Sequence, residues 1–150
     1  MAEQAPCSCG GSDASRIIFP CCGQANVGQI SNQAAIQLDE EGYGGYACTA
    51  LLASSESFAR RVNENQEVVT INGCGMACAK KIAEQAGVFV HQHLLITDLG
   101  IEKTSGDRSF TPEQVESIVS AAWKGEGKLE GTSPEKKVPN DGCGCGGKCC

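Results

Sequence analysis

The chain is poor in aromatic residues, in basic residues and in histidine, and each shortage excludes something. Aromatics make up 5% and charged residues 20% of its 150 residues, and the net charge is −6. Basic residues are few and scattered, so neither a phosphate-binding surface nor a base-stacking platform is expected, and nucleic acid is excluded as a partner. No apolar run approaches the ~20 residues of a membrane-spanning helix, so no membrane role is expected. Met1-Ala2-Glu3-Gln4-Ala5-Pro6 lacks the basic start and apolar stretch of a secretory leader, and a cytoplasmic location follows as the expectation. Only two histidines are present, and neither is an apparent base close to a cysteine.

Cysteine is abundant, with eleven in the chain. In a small secreted protein that number would suggest a disulfide framework. Here the count is odd and no export signal is seen, so metal binding or thiol chemistry in a reducing compartment is the better reading. Hydrophobic residues at 41% suffice for one ordinary domain.

Along the chain, residues 1–15 are small and polar, a flexible lead-in with Cys7-Ser8-Cys9. Residues 16–20 predict a buried strand ending at Cys21. Asn26 predicts a helix N-cap with Gln29 three residues on, and Val27, Ile30, Ala34 and Leu38 share one helical face. Gly42, Gly44 and Gly45 end that helix. A short second strand is expected over 46–48, with the option of running on toward Leu51. Ser54 or Ser55 should cap a helix carrying Phe58, Ala59 and Val62. The β-branched run 67–71 predicts a third strand, followed by a helix over 76–86 stopped by Gly87. A fourth strand is expected within 88–97, centred on 93–97. Thr111-Pro112-Glu113-Gln114 opens a last helix with a capping box, whose inner face is Val115, Ile118, Val119, Ala122 and Trp123.

Four strand–helix alternations imply an α/β fold: a small doubly wound, mainly parallel four-stranded sheet with helices on both faces. The domain is expected over 16–124. Residues 125–150 read as a flexible linker and a cysteine-rich tail with Cys143, Cys145, Cys149 and Cys150. The Cys-X-Cys spacing in that tail, metallothionein-like, suits soft-metal binding or thiol exchange.

Three of the strands end at or beside a cysteine: Cys21, Cys48 and Cys74. In an open parallel sheet the carboxyl ends of the strands share one edge, where ligands bind. Converging thiolates bind metals such as zinc or perform redox chemistry. Cys74-Gly75-Met76-Ala77-Cys78 is the sharpest motif. With Cys74 in the turn and Cys78 one helical turn on, both sulfurs are expected to face the edge. Of the adjacent pair, Cys21 is assigned to the site and Cys22 is kept as a nearby thiol, an assignment open to reversal. Asp98 stands at the same end of its strand and is a further candidate ligand, or a loop cap. His91 and His93 precede the strand end and are read as satisfied polar side chains rather than a metal pair. Gly23 to Gly28 lacks the spacing of a phosphate loop.

These blocks resemble a known family. Cys21, Cys48 and Asn72-Gly73-Cys74-X-X-X-Cys78-Ala79, followed by Leu95-Ile96-Thr97-Asp98-Leu99-Gly100-Ile101-Glu102-Lys103, are similar to the DGC-domain family, described as zinc-binding with four chelating cysteines. The stretch Cys22-Gly23 with Asn26-Val27-Gly28-Gln29-Ile30 is similar as well. The match spans about residues 16 to 120. The resemblance implies Cys21, Cys48, Cys74 and Cys78 as the chelating set. Two positions depart from the pattern: Asn72 stands where the family has Asp, and Gly75 where it usually has Pro. Asp141-Gly142-Cys143 in the tail is read as coincidence.

The expectation is thus a cytoplasmic metal-binding protein, zinc first, acting as a carrier or sensor toward a metal- or sulfur-handling protein. Two rivals stay open. One is a thiol or sulfur-transfer enzyme using Cys74, with Cys22 or Cys78 resolving the intermediate. The other is an iron–sulfur electron-transfer protein, although the spacing matches neither common ferredoxin pattern.

Overall fold

A computed structural model describes residues 15–130. The expectations placed on Cys7, Cys9, Cys143, Cys145, Cys149 and Cys150 lie outside the described residues. Four strands, β1 (Arg16–Pro20), β2 (Gly45–Tyr46), β3 (Glu67–Asn72) and β4 (Gln92–Leu95), form one sheet in the order β2-β1-β3-β4. Every neighbouring pair is parallel, so the sheet is wholly rather than mainly parallel. Five helices accompany it: α1 (Asn26–Glu40), α2 (Ala50–Ser54), α3 (Glu56–Asn65), α4 (Cys78–Gln85) and α5 (Pro112–Trp123).

Strand side chains alternate between two cores, as the pleat requires. Ile18, Val69, Ile71 and Leu94 pack with Val27, Ile30, Ala34 and Leu38 of α1 and with Val115, Ile118 and Val119 of α5. Ile17, Phe19 and Val68 pack on the opposite face with Leu52, Ala59, Val62 and Ala83 of α2, α3 and α4. Helices therefore cover both faces, which explains why the strands read as unbroken apolar runs. The two inner strands carry the longest register, Arg16↔Glu67 through Pro20↔Ile71. An Arg16–Glu67 ion pair of 3.3 Å closes the amino end.

Several boundaries differ from the sequence expectation, each for a local reason. Asn26 does not cap α1: it is the first helical residue, and Ala25 holds the cap position without a side-chain bond. The Asn26 amide instead donates to the Glu102 carbonyl and its oxygen accepts from the Thr104 N–H, at 2.9 and 2.8 Å. Gln29 likewise donates to the Gly23 carbonyl rather than closing a capping box. β2 stops at Tyr46, because the Thr49 hydroxyl takes the Pro20 carbonyl at 2.7 Å and the chain turns into α2. The helix expected after Ser54 or Ser55 is α3, with Ser55 as its cap, and the short α2 before it was not expected. Ser55 is extended (φ −137°, ψ 100°), and its hydroxyl accepts from the Phe58 N–H to start α3.

α4 starts at Cys78, two residues later than expected, because Ala77 adopts the left-handed region at φ 47°. β4 ends at Leu95, since β3 has no residue beyond Asn72 to pair with, and a 3₁₀ turn over Ile96–Leu99 follows. The capping box at Thr111 and Gln114 forms as read. Trp123 does not join the inner face of α5. It is 53% exposed, edge-on to Tyr43 and donating to Glu41 Oε2.

A thiol-lined candidate site at the carboxyl edge

Strand order reverses between β1 and β3: the chain leaves β1 toward β2 on one side and returns to β3 on the other. At such a point the helices that follow the two strands depart on opposite faces, leaving a crevice beyond the strand ends. Here those helices are α1 and α4. The crevice between them encloses about 490 Å³.

Close backbone packing shapes its floor. A Cβ on Gly73 would lie 2.8 Å from Val27 Cγ2, so only glycine lets the end of β3 meet the first turn of α1 this closely. A Cβ on Gly28 would lie 2.5 Å from Gly23 Cα, which seats α1 against the turn it leaves. The Asn72 side chain is fully buried and accepts the Ala79 N–H at 2.8 Å, fixing where α4 begins. The Ala77 N–H donates to the Cys74 carbonyl at 2.9 Å. Cys74 therefore sits in a tight turn and Cys78 is the first residue of the helix. Cys74 thus lies in the strand-to-helix turn as expected, but Cys78 opens the helix instead of lying one turn inside it, because Ala77 is left-handed.

All five cysteines among the described residues, Cys21, Cys22, Cys48, Cys74 and Cys78, line the crevice, and all are free thiols. Cys21 continues the ladder, its N–H bonded to the Ile71 carbonyl at 2.8 Å. Its sulfur accepts the Gly73 N–H at 2.9 Å. Burial pushes the Cys21 thiol above its usual range, the Gly73 N–H and Ser31 oppose this, and nearby Cys78 and Cys74 add to it. Burial also pushes Cys22 up, helped by Cys21 and Cys48. Cys22 is exposed and donates to Asn32 Oδ1 at 3.4 Å; the Tyr46 hydroxyl donates to the same oxygen at 2.9 Å. Cys48 is exposed and placed by the bond from Thr49 to the end of β1.

Other candidates lie elsewhere. Asp98 falls in the 3₁₀ turn and is not among the residues lining the crevice. His91 Nδ1 accepts the Val68 N–H at 3.0 Å. His93 Nδ1 faces Thr70 Oγ1 at 3.1 Å and the Asn72 amide at 3.3 Å. Burial holds His93 below its ordinary 6.5, the Lys80 ammonium lowers it further, and Glu84 and Asp98 oppose the shift.

Sequence reasoning missed Lys103. The loop after the 3₁₀ turn brings it to the crevice with Ser105 and Gly106, and its ammonium lies 3.6 Å from Cys74 Sγ. A signal was available: an eleven-residue segment without regular structure, 101–111, beyond a strand end is where such folds place functional side chains. No aspartate or glutamate among the described residues lines the crevice. Thiols are donors that suit soft and borderline cations, so the donor chemistry fits such an ion. Among the described residues no three His, Cys, Asp or Glu side chains come close enough to hold one ion as they stand.

The fold and its edge define a doubly wound α/β domain with a cysteine-lined crevice at the switch point. The chain belongs to the DGC-domain family, whose model matches residues 17–122. It is similar to the anaerobic and virulence modulator AnvM of Pseudomonas aeruginosa, at 25% identity over 108 residues, 71% of this chain and 79% of that protein. No solved structure matches.

Proposed function

We propose that this protein binds a soft or borderline metal ion, zinc first, through the crevice cysteines. The observation that carries the reading is that thiols from three separate strand ends line one cavity that holds no carboxylate among its described residues. Cys21, Cys48, Cys74 and Cys78 are the proposed ligands, with Cys22 the alternate of Cys21. Zinc would supply a charged cross-link between strand ends, and binding would deprotonate the thiols it takes, including the half-buried Cys21. The exposed thiols of Cys48 and Cys78 would be drawn inward, so binding couples to closure of the turns that carry them. Cys143, Cys145, Cys149 and Cys150 would add capacity for exchange with a metal- or sulfur-handling partner.

The test is metal and acid-labile sulfide content after anaerobic purification, for the full chain and for a form ending at Glu130. About one zinc in the shorter form and more in the full chain is expected. A metal-free protein in both would overturn the reading, as would unchanged metal content in Cys74→Ser. Sulfide with iron would transfer the site to an iron–sulfur cluster.

A second reading has its own observation. Lys103 sets a positive charge beside Cys74, the surroundings in which thiols become nucleophiles. On this reading the protein is a thiol or redox protein with Cys74 reacting and Cys22 or Cys78 resolving. The relative named for anaerobic and virulence modulation suits either reading, because bound zinc and reactive thiols both respond to oxidants. Rapid alkylation of one thiol in metal-free protein would favour the second; uniform slow alkylation would count against it.

A further inference from the structure

Resting on the same crevice as the metal reading, we propose that it also admits a small organic anion bearing a thiol. Its acid group would pair with Lys103 and its sulfur would lie among the cysteines, with no covalent bond to the protein. Three observations lead there. The first is size: one ion needs roughly the ~30 Å³ share of a water molecule, whereas the crevice encloses about 490 Å³. That volume falls in the ~300–1,000 Å³ range of organic-ligand sites.

The second is wall chemistry. Pro20, Ala25, Val27, Ala50, Met76 and Ile82 present carbon to the cavity between the thiols. Met76 is 60% exposed at this edge, a flexible apolar side chain with little protein around it. Carbon walls add nothing to metal coordination, but they remove the backbone of an organic ligand from water.

The third is charge. The protein carries a net charge of −6. Among the described residues lining the crevice, Lys103 alone is charged, and it stands 3.6 Å from Cys74 Sγ. An acid and a sulfur joined by two or three carbons match that short separation. α1 and α4 begin at the same walls with no acidic residue in their first turns, so nothing there repels an anion.

The test uses the full chain, chelator-treated and kept reduced, in backbone-amide NMR titrations with 3-mercaptopropionate, propionate and the uncharged 1-thioglycerol. Saturable shifts are expected at 73–79 and 103–106 with 3-mercaptopropionate, at lower concentration than with either half-molecule. Lys103→Gln, an exposed position, should fold normally and weaken the charged thiol by about two- to fivefold, the range of an exposed ion pair. No saturable shift by about 20 mM, a limit set by millimolar affinity, would overturn the proposal. Equal binding by Lys103→Gln, or by propionate, would overturn it too. Metal content is measured separately: binding by a protein that never holds metal sinks the metal reading alone, and loaded protein without these shifts sinks this one alone.

Discussion

Replacing Asn72 by aspartate tests how the end of β3 is wired to the site. Asn72 makes two different bonds: its oxygen accepts the Ala79 N–H at 2.8 Å, and its amide faces His93 Nδ1 at 3.3 Å. An amide donor there requires His93 Nδ1 to be an acceptor, so the ring is neutral with its proton on Nε2. Aspartate keeps the acceptor for Ala79 but turns the donor into a second acceptor. His93 must then carry a proton on Nδ1, and Thr70 Oγ1 turns from donor to acceptor. A carboxylate at this distance should raise the imidazole by about 1–2 pH units relative to the native chain, against the lowering that burial and the Lys80 ammonium impose there. In the native chain the unfolded state binds more protons between the lowered value and 6.5, so His93's contribution to stability grows as pH rises through that window. In Asn72→Asp the folded pair holds the extra proton. Relative to the native chain this adds stability at low pH that is lost as pH rises through the variant's higher value. Urea unfolding of both proteins from pH 5.5 to 8 should therefore give a stability difference that moves against the variant by roughly 1–3 kcal/mol as pH rises. Long-range ¹⁵N spectra of the two histidines would report the tautomer directly. A difference that is flat or moves the other way, or a His93 ring already protonated on Nδ1 in the native chain, would refute the wiring.

Other expectations follow from the same edge. Gly73→Ala forces the start of α1 away from β3 and should cost about 1–3 kcal/mol, as overpacking does, in thermal or urea unfolding; an unchanged midpoint would contradict the close approach to Val27. Ala77→Gly removes the left-handed strain, worth ~1–2 kcal/mol, against a flexibility cost of up to ~1 kcal/mol; a gain of up to about 1 kcal/mol is expected, and a loss would contradict the turn geometry. Thr111→Ala breaks the capping box of α5 and should lower stability by about 1 kcal/mol, without changing metal content.

The fold was legible because its strongest signals are local and redundant. Ile17 to Phe19 and Val68 to Ile71 read as strands buried on both faces, and they are. The Thr111 box carries both of its bonds in the residues themselves. Asn26 was misread for the opposite reason: its cap chemistry is real, but its partners lie 76 and 78 residues away in the loop after the 3₁₀ turn. Ser55 both ends one helix and begins the next, a double role that a single capping residue does not announce. The left-handed Ala77 had no signal at all, since alanine, unlike glycine or asparagine, does not announce that region.

The site was legible in part. That cysteines at three strand ends would meet at one edge follows from parallel topology, and the five described cysteines do line one crevice. How near one another they stand depends on turn geometry and side-chain rotation, which no spacing rule supplies. Lys103 was hidden because its place depends on how the loop crosses the edge.

The arrangement of the crevice also explains why cysteine suits this edge. Beside the close Gly73–Val27 contact stands Cys21, half-buried, its sulfur accepting the Gly73 N–H. A carboxylate in that place would find few donors for its two oxygens, and part of its desolvation would be uncompensated. A thiol stays neutral there at little cost, its ionisation pushed up by the same burial. On the proposed metal reading it would become a charged ligand once a cation balances it. On that reading the partial burial of Cys21 would make ion binding and proton release one event. Cys48 and Cys78 are exposed, which on that reading would suit exchange of an ion better than a permanently closed structural site.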